Sequence, residues 1–297
     1  MRISFHEQIS KNKLKSSILL ISIMGVLILI GYVVGTIVSP DYFTIIMIIS
    51  IIISISYIWI GYYNSHKIAL ASVKAKLANQ SEHLEYHHLV EGLCLASGLP
   101  KPRLYVMEDS NINAFASGRD PKNAIICVTT GCLEKLNKQE LEGVLAHELS
   151  HIANYDIRFM TFTAVLVGII AIISEIFLRT LFWGGAGSRD RKIHPFLIIF
   201  GILLAIIAPL VVSLVQLSIS RKREFSADAS AVKFIRSPTG LKNALEKIKH
   251  EHPTKIDKHI SKAIAPLFIS DPYKRKFQNL FATHPPLEKR ITILERM

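Results

Sequence analysis

Along the chain, long stretches without a charged residue alternate with stretches crowded with charge. Ser16–Val38, Tyr42–Asn64 and Pro195–Ser220 contain no Asp, Glu, Lys or Arg. Each exceeds the roughly 20 residues that a helix needs to cross a ~30 Å hydrocarbon core. Phe159–Trp183 is long enough as well but holds Glu175 and Arg179. These two stand four apart, on one helix face where they can pair. They either line a polar groove or form a neutralised pair near the outer interface. The pattern predicts two transmembrane helical hairpins, 16–64 (spans 16–38 and 42–64) and 159–220 (spans 159–183 and 195–220).

Between and after the hairpins the period changes. Glu82–Ser97 carries Leu84, Leu89, Val90 and Leu93 near helical spacing, with Gly98 as a stop. Arg103–Met107 alternates as a strand, and Asn113–Ser117 and Ala124–Thr129 read as two more around a polar connection. Asn137 followed by Glu140 resembles a capping box, opening a helix that runs to about Asn154. Arg221–Ile235 reads as a helix, and Ser237-Pro238 opens another with Leu241, Leu245 and Ile248 on one face. His284-Pro285-Pro286 starts a short last helix. His252–Gln278 has no clear period and reads as a mobile loop. The expected fold class is therefore an integral membrane protein, mainly α. Of its water-exposed parts, 65–158 reads as a small α+β unit with a small sheet and 221–297 looks helical, and residues 1–15 form a short N-terminus.

Charge gives this arrangement a direction. Lys+Arg number 35 against 23 Asp+Glu, a net charge of +12, while half of all residues are hydrophobic. A soluble enzyme is rarely so apolar, and a disordered or nucleic-acid-binding tail would not carry so much Ile and Leu. Basic residues flank the runs on alternate sides: Arg2, Lys11, Lys13 and Lys15 before the first, Lys67, Lys74 and Lys76 after the second. Arg158 precedes the third, and Arg221, Lys222 and Arg223 follow the fourth. By the positive-inside rule, the N-terminus, 65–158 and 221–297 face the cytoplasm. Arg189, Arg191 and Lys192, in the loop Gly184–His194, oppose that orientation and are outvoted. Flanks beside anionic lipid explain the basic excess without a nucleic-acid partner. No Gly-rich phosphate loop is present, so no nucleotide is expected. Ser16–Val38 is too long for the core of a cleaved signal peptide. Cys94, Cys127 and Cys132 are odd in number and form no C-x-x-C, so they read as free thiols of a reducing compartment.

Chemistry concentrates at His147-Glu148-Leu149-Ser150-His151. On a helix, residues four apart lie about 6 Å along the same face, so both imidazoles can reach one ion. Glu148 is adjacent and can serve as a base on a metal-activated water without being a ligand. Two histidines leave a catalytic site one protein ligand short. Glu224 and Asp228 are also four apart. On a basic helix such a pair is usually a solvated face. Beside an incomplete H-E-x-x-H, Glu224 could supply the third ligand, and Asp228 could accept a hydrogen bond from a ligand imidazole. An even number of spans separates the two segments, which leaves them on one side of the membrane. His83, His87 and His88 have no partner motif and read as a solvated helix face.

These strings resemble the HtpX-type bacterial membrane metalloproteases of peptidase family M48, which also holds the CAAX-processing Ste24 enzymes. The likeness rests on His-Glu-Leu-Ser-His at 147–151, Ser-Arg-Lys-Arg-Glu-Phe-Ser-Ala-Asp at 220–228, Asn-Ala-Phe-Ala-Ser-Gly at 113–118 and Thr-His-Pro-Pro-Leu-Glu-Lys-Arg-Ile at 283–291. It implies a zincin-like domain facing the cytoplasm from the bacterial inner membrane, multi-pass, with one Zn²⁺ per chain. His147, His151 and Glu224 would be its ligands, Glu148 its catalytic residue and Asp228 a partner behind the ligands. The implied activity is endoproteolysis of unfolded or damaged membrane proteins, in quality control and the stress response. The likeness also implies that Asn113, Ala114 and Phe115 lie on an edge strand that pairs with an extended peptide. Such an edge offers main-chain hydrogen bonds indifferent to sequence, although Asn113 by itself reads as a turn residue. His284 is either an oxyanion-stabilising histidine or a helix-opening residue without a catalytic role. Two other readings stay open. One is a CAAX-type protease, for which four spans are few. The other is a membrane scaffold with a structural zinc, a kind of site that normally takes four protein ligands. Manganese or cobalt could also occupy the same ligands.

Overall fold

A computed structural model describes residues 5–38, 40–160, 201, 221–251, 267–269 and 285–297. The expected second hairpin, with Glu175, Arg179 and the loop 184–194, lies outside the described residues. So do His284 and most of the period-free stretch 252–278.

The first uncharged run lies in helix α1 (Phe5–Val38) and the second in α2 (Phe43–Ser72), joined by one 3₁₀ turn at Pro40–Tyr42. Both helices outrun the hydropathy signal. The 34 residues of α1 make a rod of about 50 Å, starting 11 residues ahead of the expected span. Lys11, Lys13 and Lys15 end the apolar run without ending the helix, because lysine is a good helix former. The two helices lie against each other, and at Gly31 a Cβ would sit 2.1 Å from Ser50 Oγ, so only glycine lets them come so close. Elsewhere α2 faces outward with Ile45, Ile48, Ile52, Ile55, Trp59 and Ile60 exposed. Only 6% of its apolar stretch Phe43–Asn64 is buried. So little burial is unlike the core helix of a soluble domain, and both α1 and α2 are long and apolar enough to cross a membrane.

The last turns of α2 enter a small mixed sheet. Its strands are β1 (Lys76–Leu77), β2 (Arg103–Met107), β3 (Ala114–Gly118) and β4 (Ala124–Thr129), in the order β1-β2-β4-β3. β2 and β4 are parallel, with Arg103 opposite Ile125, while β3 runs antiparallel to β4, with Ala114 opposite Val128. β2 and β4 take their expected bounds. β3 starts one residue late: Asn113 turns its Oδ1 to the Ala114 N–H, and its own N–H donates to the Thr129 Oγ1 side chain. The β3–β4 turn leaves Gly118 at φ 140°, where a Cβ would meet Asn123 O at 2.6 Å.

The strand period of two sorts the sheet into two faces. Leu104, Val106, Ala114, Ala116, Ile126 and Val128 pack with the main core. Met107, Phe115, Ile125 and Cys127 pack with Leu70 and Val73 at the end of α2 and with Leu267 and Phe268. The main core includes α3 (Leu84–Ser97), which Gly98 ends at φ 70° by donating to Cys94 O. After the short α4 (Thr130–Lys135) comes α5 (Lys138–Ala153), opened by the expected capping box with both reciprocal bonds formed. Then follow α6 (Arg221–Ile235), α7 (Thr239–His250) and α8 (Leu287–Leu294). α5 and α7 touch backbone to backbone at Gly143 and Gly240, where a Cβ would meet Leu241 N at 2.3 Å and Gln139 O at 2.1 Å.

Candidate active site

α5 is buried along nearly its whole length, so the polar string on it is enclosed by protein. Buried polar groups are costly unless partnered, and the ring nitrogens of both histidines have traceable partners. His147 and His151 stand one turn apart and bring their Nε2 atoms to 3.2 Å from each other. From α6, Glu224 places Oε2 3.6 Å from His147 Nε2 and Oε1 3.6 Å from His151 Nε2. A tetrahedral ion with ligand bonds near 2.0–2.1 Å would hold its ligand atoms about 3.3 Å apart. Among the described residues these three form a group of metal-binding donors, with all ligand atoms within 4.8 Å of one another. The histidines 83, 87 and 88 do not belong to it.

Behind the ligands stand two carboxylates. Asp228, one turn on from Glu224, is 3.0 Å from His147 Nδ1, and Asp156 Oδ2 is 3.2 Å from His151 Nδ1. Each imidazole thus has Nδ1 held by a carboxylate and Nε2 turned to the common point, the arrangement in which a histidine is fixed for metal binding. From α8, Arg290 grips Asp228 with two bonds, Nε to Oδ2 at 2.9 Å and Nη2 to Oδ1 at 2.7 Å. Its Nη1 is 3.4 Å from Glu224 Oε2. Nη2 also lies 3.3 Å from both ring nitrogens of His147, which places it over the ring.

The charges give a second test of fit. Glu148, Glu224, Asp228 and Asp156 are buried together with Arg223 and Arg290, so four carboxylates face two guanidiniums. One divalent cation would balance the remainder. Burial and Arg290 would lower the His147 pKa, but hydrogen bonds to Asp228 and Glu224 outweigh them and push it up to about 9. Burial alone would raise Asp228, whereas Arg290 and His147 hold it below the ordinary carboxylate value. Glu148 is moved the other way: burial raises its pKa, against the pull of the two histidines and a backbone hydrogen bond from Ala116. A carboxylate with a raised pKa is suited to accept and return a proton.

That bond ties the site to β3. Asn113, Ala114 and Phe115 lie just ahead of Ala116, at the start of the edge strand. The outer side of the strand is already met there: Ile269 N donates to Ala114 O at 2.9 Å, and Phe115 and Phe268 stack edge to face at 5.1 Å. Two residues of the site escaped the sequence reading. Arg290 lies on the buried face of α8 with Ile291 and Leu294, although its charged neighbours in sequence suggest a solvated side. Asp156 had no signal, for it follows the end of α5 through Tyr155 at φ 58°.

The sequence model of peptidase family M48 matches residues 80–297. The Protease HtpX homolog of Thermoanaerobacter pseudethanolicus is 48% identical over 246 residues, 81% of each chain. That of Streptococcus pyogenes serotype M28 is 38% identical over 299 residues, covering 98% of this chain and 99% of the relative. Among solved structures, Ste24p of S. mikatae aligns with a TM-score of 0.51 over 97% of this chain and 67% of that one. At 20% identity the last likeness concerns the fold alone.

Proposed function

Because the chain belongs to peptidase family M48, among its HtpX-type members, we propose that it is a zinc-dependent endopeptidase of the bacterial inner membrane. Its substrates in this reading are misfolded or damaged membrane proteins, cleaved in quality control under stress. The observation that carries the proposal is the convergence of His147, His151 and Glu224 on one buried point, with Glu148 on the same helix.

His147, His151 and Glu224 would hold the ion, and the ion supplies Lewis acidity and lowers the pKa of a water in the site. Glu148 takes the proton of the attacking water and delivers it to the leaving amine. Asp228 keeps His147 in the ligating orientation, and Arg290 keeps Asp228 ionised. The β3 edge at Asn113, Ala114 and Phe115 aligns the extended peptide once Ile269 gives up Ala114 O, and His284 stabilises the oxyanion. The catalytic parts 65–158 and 221–297 face the cytoplasm in this reading. α5 and α6 meet at the ligands, and the intervening 159–220 returns the chain to the side it left as a second membrane hairpin.

The test is cleavage of unfolded casein by full-length protein purified in detergent under chelator, before and after adding zinc, beside Glu148→Gln. Zinc-dependent fragments are expected from the wild type alone. Equal cleavage by Glu148→Gln would remove Glu148 from its role.

A further inference from the structure

His151 is held, at second hand, by the first apolar helix. For Nε2 to offer its lone pair to an ion, Nδ1 must carry the proton and needs an acceptor. Asp156 Oδ2 is that acceptor at 3.2 Å. Asp156 is fully buried, so its other oxygen also needs a fixed donor. The donor is Asn12 of α1, whose Nδ2 lies 2.8 Å from Asp156 Oδ1. The same amide nitrogen also donates to the Asn154 carbonyl at 3.0 Å, so both of its hydrogens are used. Arg223 Nε stands 3.8 Å from Oδ1, too far for a hydrogen bond, and contributes charge only.

The surrounding geometry makes this contact specific. α5 stops at Ala153, and Tyr155 takes a left-handed conformation at φ 58°, unusual for a bulky residue. That turn aims Asp156 back at His151. α1 braces the turn twice, through Asn12 and through Lys13, whose Nζ sits 4.4 Å over the Tyr155 ring. Asn12 is buried on the same face of α1 as Ser16 and Leu19.

We propose that Asn12 and Asp156 are positioning residues for the metal: the amide on α1 fixes the carboxylate, and the carboxylate fixes the His151 imidazole with Nε2 toward the ion. The proposal rests on the reading of His151 as a ligand. It makes the apolar hairpin part of the metal site as well as its anchor.

The test is zinc affinity of the full-length protein in detergent, measured by competition with a chromophoric chelator. Thermal melting of each zinc-free variant is recorded alongside. Asp156→Ala should weaken zinc binding by about 10–100-fold, the usual effect of removing such a partner. Asp156→Asn should weaken it too, though by less than Asp156→Ala, because an amide accepts at one oxygen only and sets its own N–H group against Asn12 Nδ2 or His151 Nδ1. Asn12→Ala should weaken binding by a smaller factor. A purely structural role would lower the zinc-free melting temperature and leave affinity unchanged in all three, which overturns the relay. Should Asp156→Ala fail to fold, Asn12→Ala and Asp156→Asn still decide between these results. His151→Ala separates the two levels: loss of zinc there with unchanged Asn12→Ala and Asp156→Asn sinks the relay alone. Wild-type affinity in His151→Ala sinks the ligand set and the relay with it.

Discussion

Gly143→Ala opposes two physical effects of opposite sign. Gly143 lies inside α5, where exchanging glycine for alanine favours the helix by about 1 kcal/mol. Propensity alone therefore forecasts a more stable protein. Packing forecasts the reverse. The new Cβ would stand 2.3 Å from Leu241 N, 2.6 Å from Leu241 Cα and 2.7 Å from Gly240 C, all backbone atoms of α7. Ordinary carbon contacts lie near 3.5–4.0 Å, so α5 and α7 must part by roughly an ångström. Overpacking of this kind costs about 1–3 kcal/mol, or more where backbone has to move. His147 is one turn further along α5, so the displacement also reaches the ligands. The net expectation is a loss of roughly 0–2 kcal/mol, or more if α7 cannot yield, with weaker zinc binding. Thermal unfolding in detergent and chelator competition measure the two effects. A raised melting temperature with unchanged zinc affinity would refute the packing argument.

Arg290→Ala should be more damaging, by about 3–5 kcal/mol, because it strands the buried Asp228 carboxylate. Arg290→Lys should recover only part of this, having one point of contact where the fork has two, and thermal melting ranks the series. Removing zinc with a chelator should abolish cleavage, and zinc at about 100 times its Kd should add roughly 2.7 kcal/mol to stability. Differential scanning in graded zinc checks the second figure. Ile269→Pro deletes the N–H that binds Ala114 O and should lower KM for an extended peptide that pairs with β3, with kcat little changed. A raised KM would mean that this segment helps to hold the peptide.

Much of the fold was legible because each signal was local. A capping box marks its own helix, alternation marks β2 and β4, and residues four apart on α5 and α6 announce shared faces. Those faces meet in the structure, and Glu224 and Asp228 stand against His147 and His151. What stayed hidden depends on distance along the chain. Asn12 reads as a polar residue at the head of an apolar run, and its partner Asp156 is 144 positions away. Arg290 sits in a basic string, where charge suggests water, and its burial comes from Asp228 on another helix. Phe268 falls in a stretch with no period of its own, and its place is set by Phe115. Hydropathy also left the length of α1 open, since it reports where hydrocarbon would end and not where the helix does.

All three cysteines are buried and unpaired. Burial raises the pKa of Cys94 and pushes those of Cys127 and Cys132 far higher. Alkylation proceeds through the exposed thiolate, so the folded chain should be nearly silent to a maleimide without any native cysteine being replaced. A single cysteine placed beside either end of α1 or α2 would then report, by its labelling in intact cells with a membrane-impermeant reagent, which side of the bilayer it occupies.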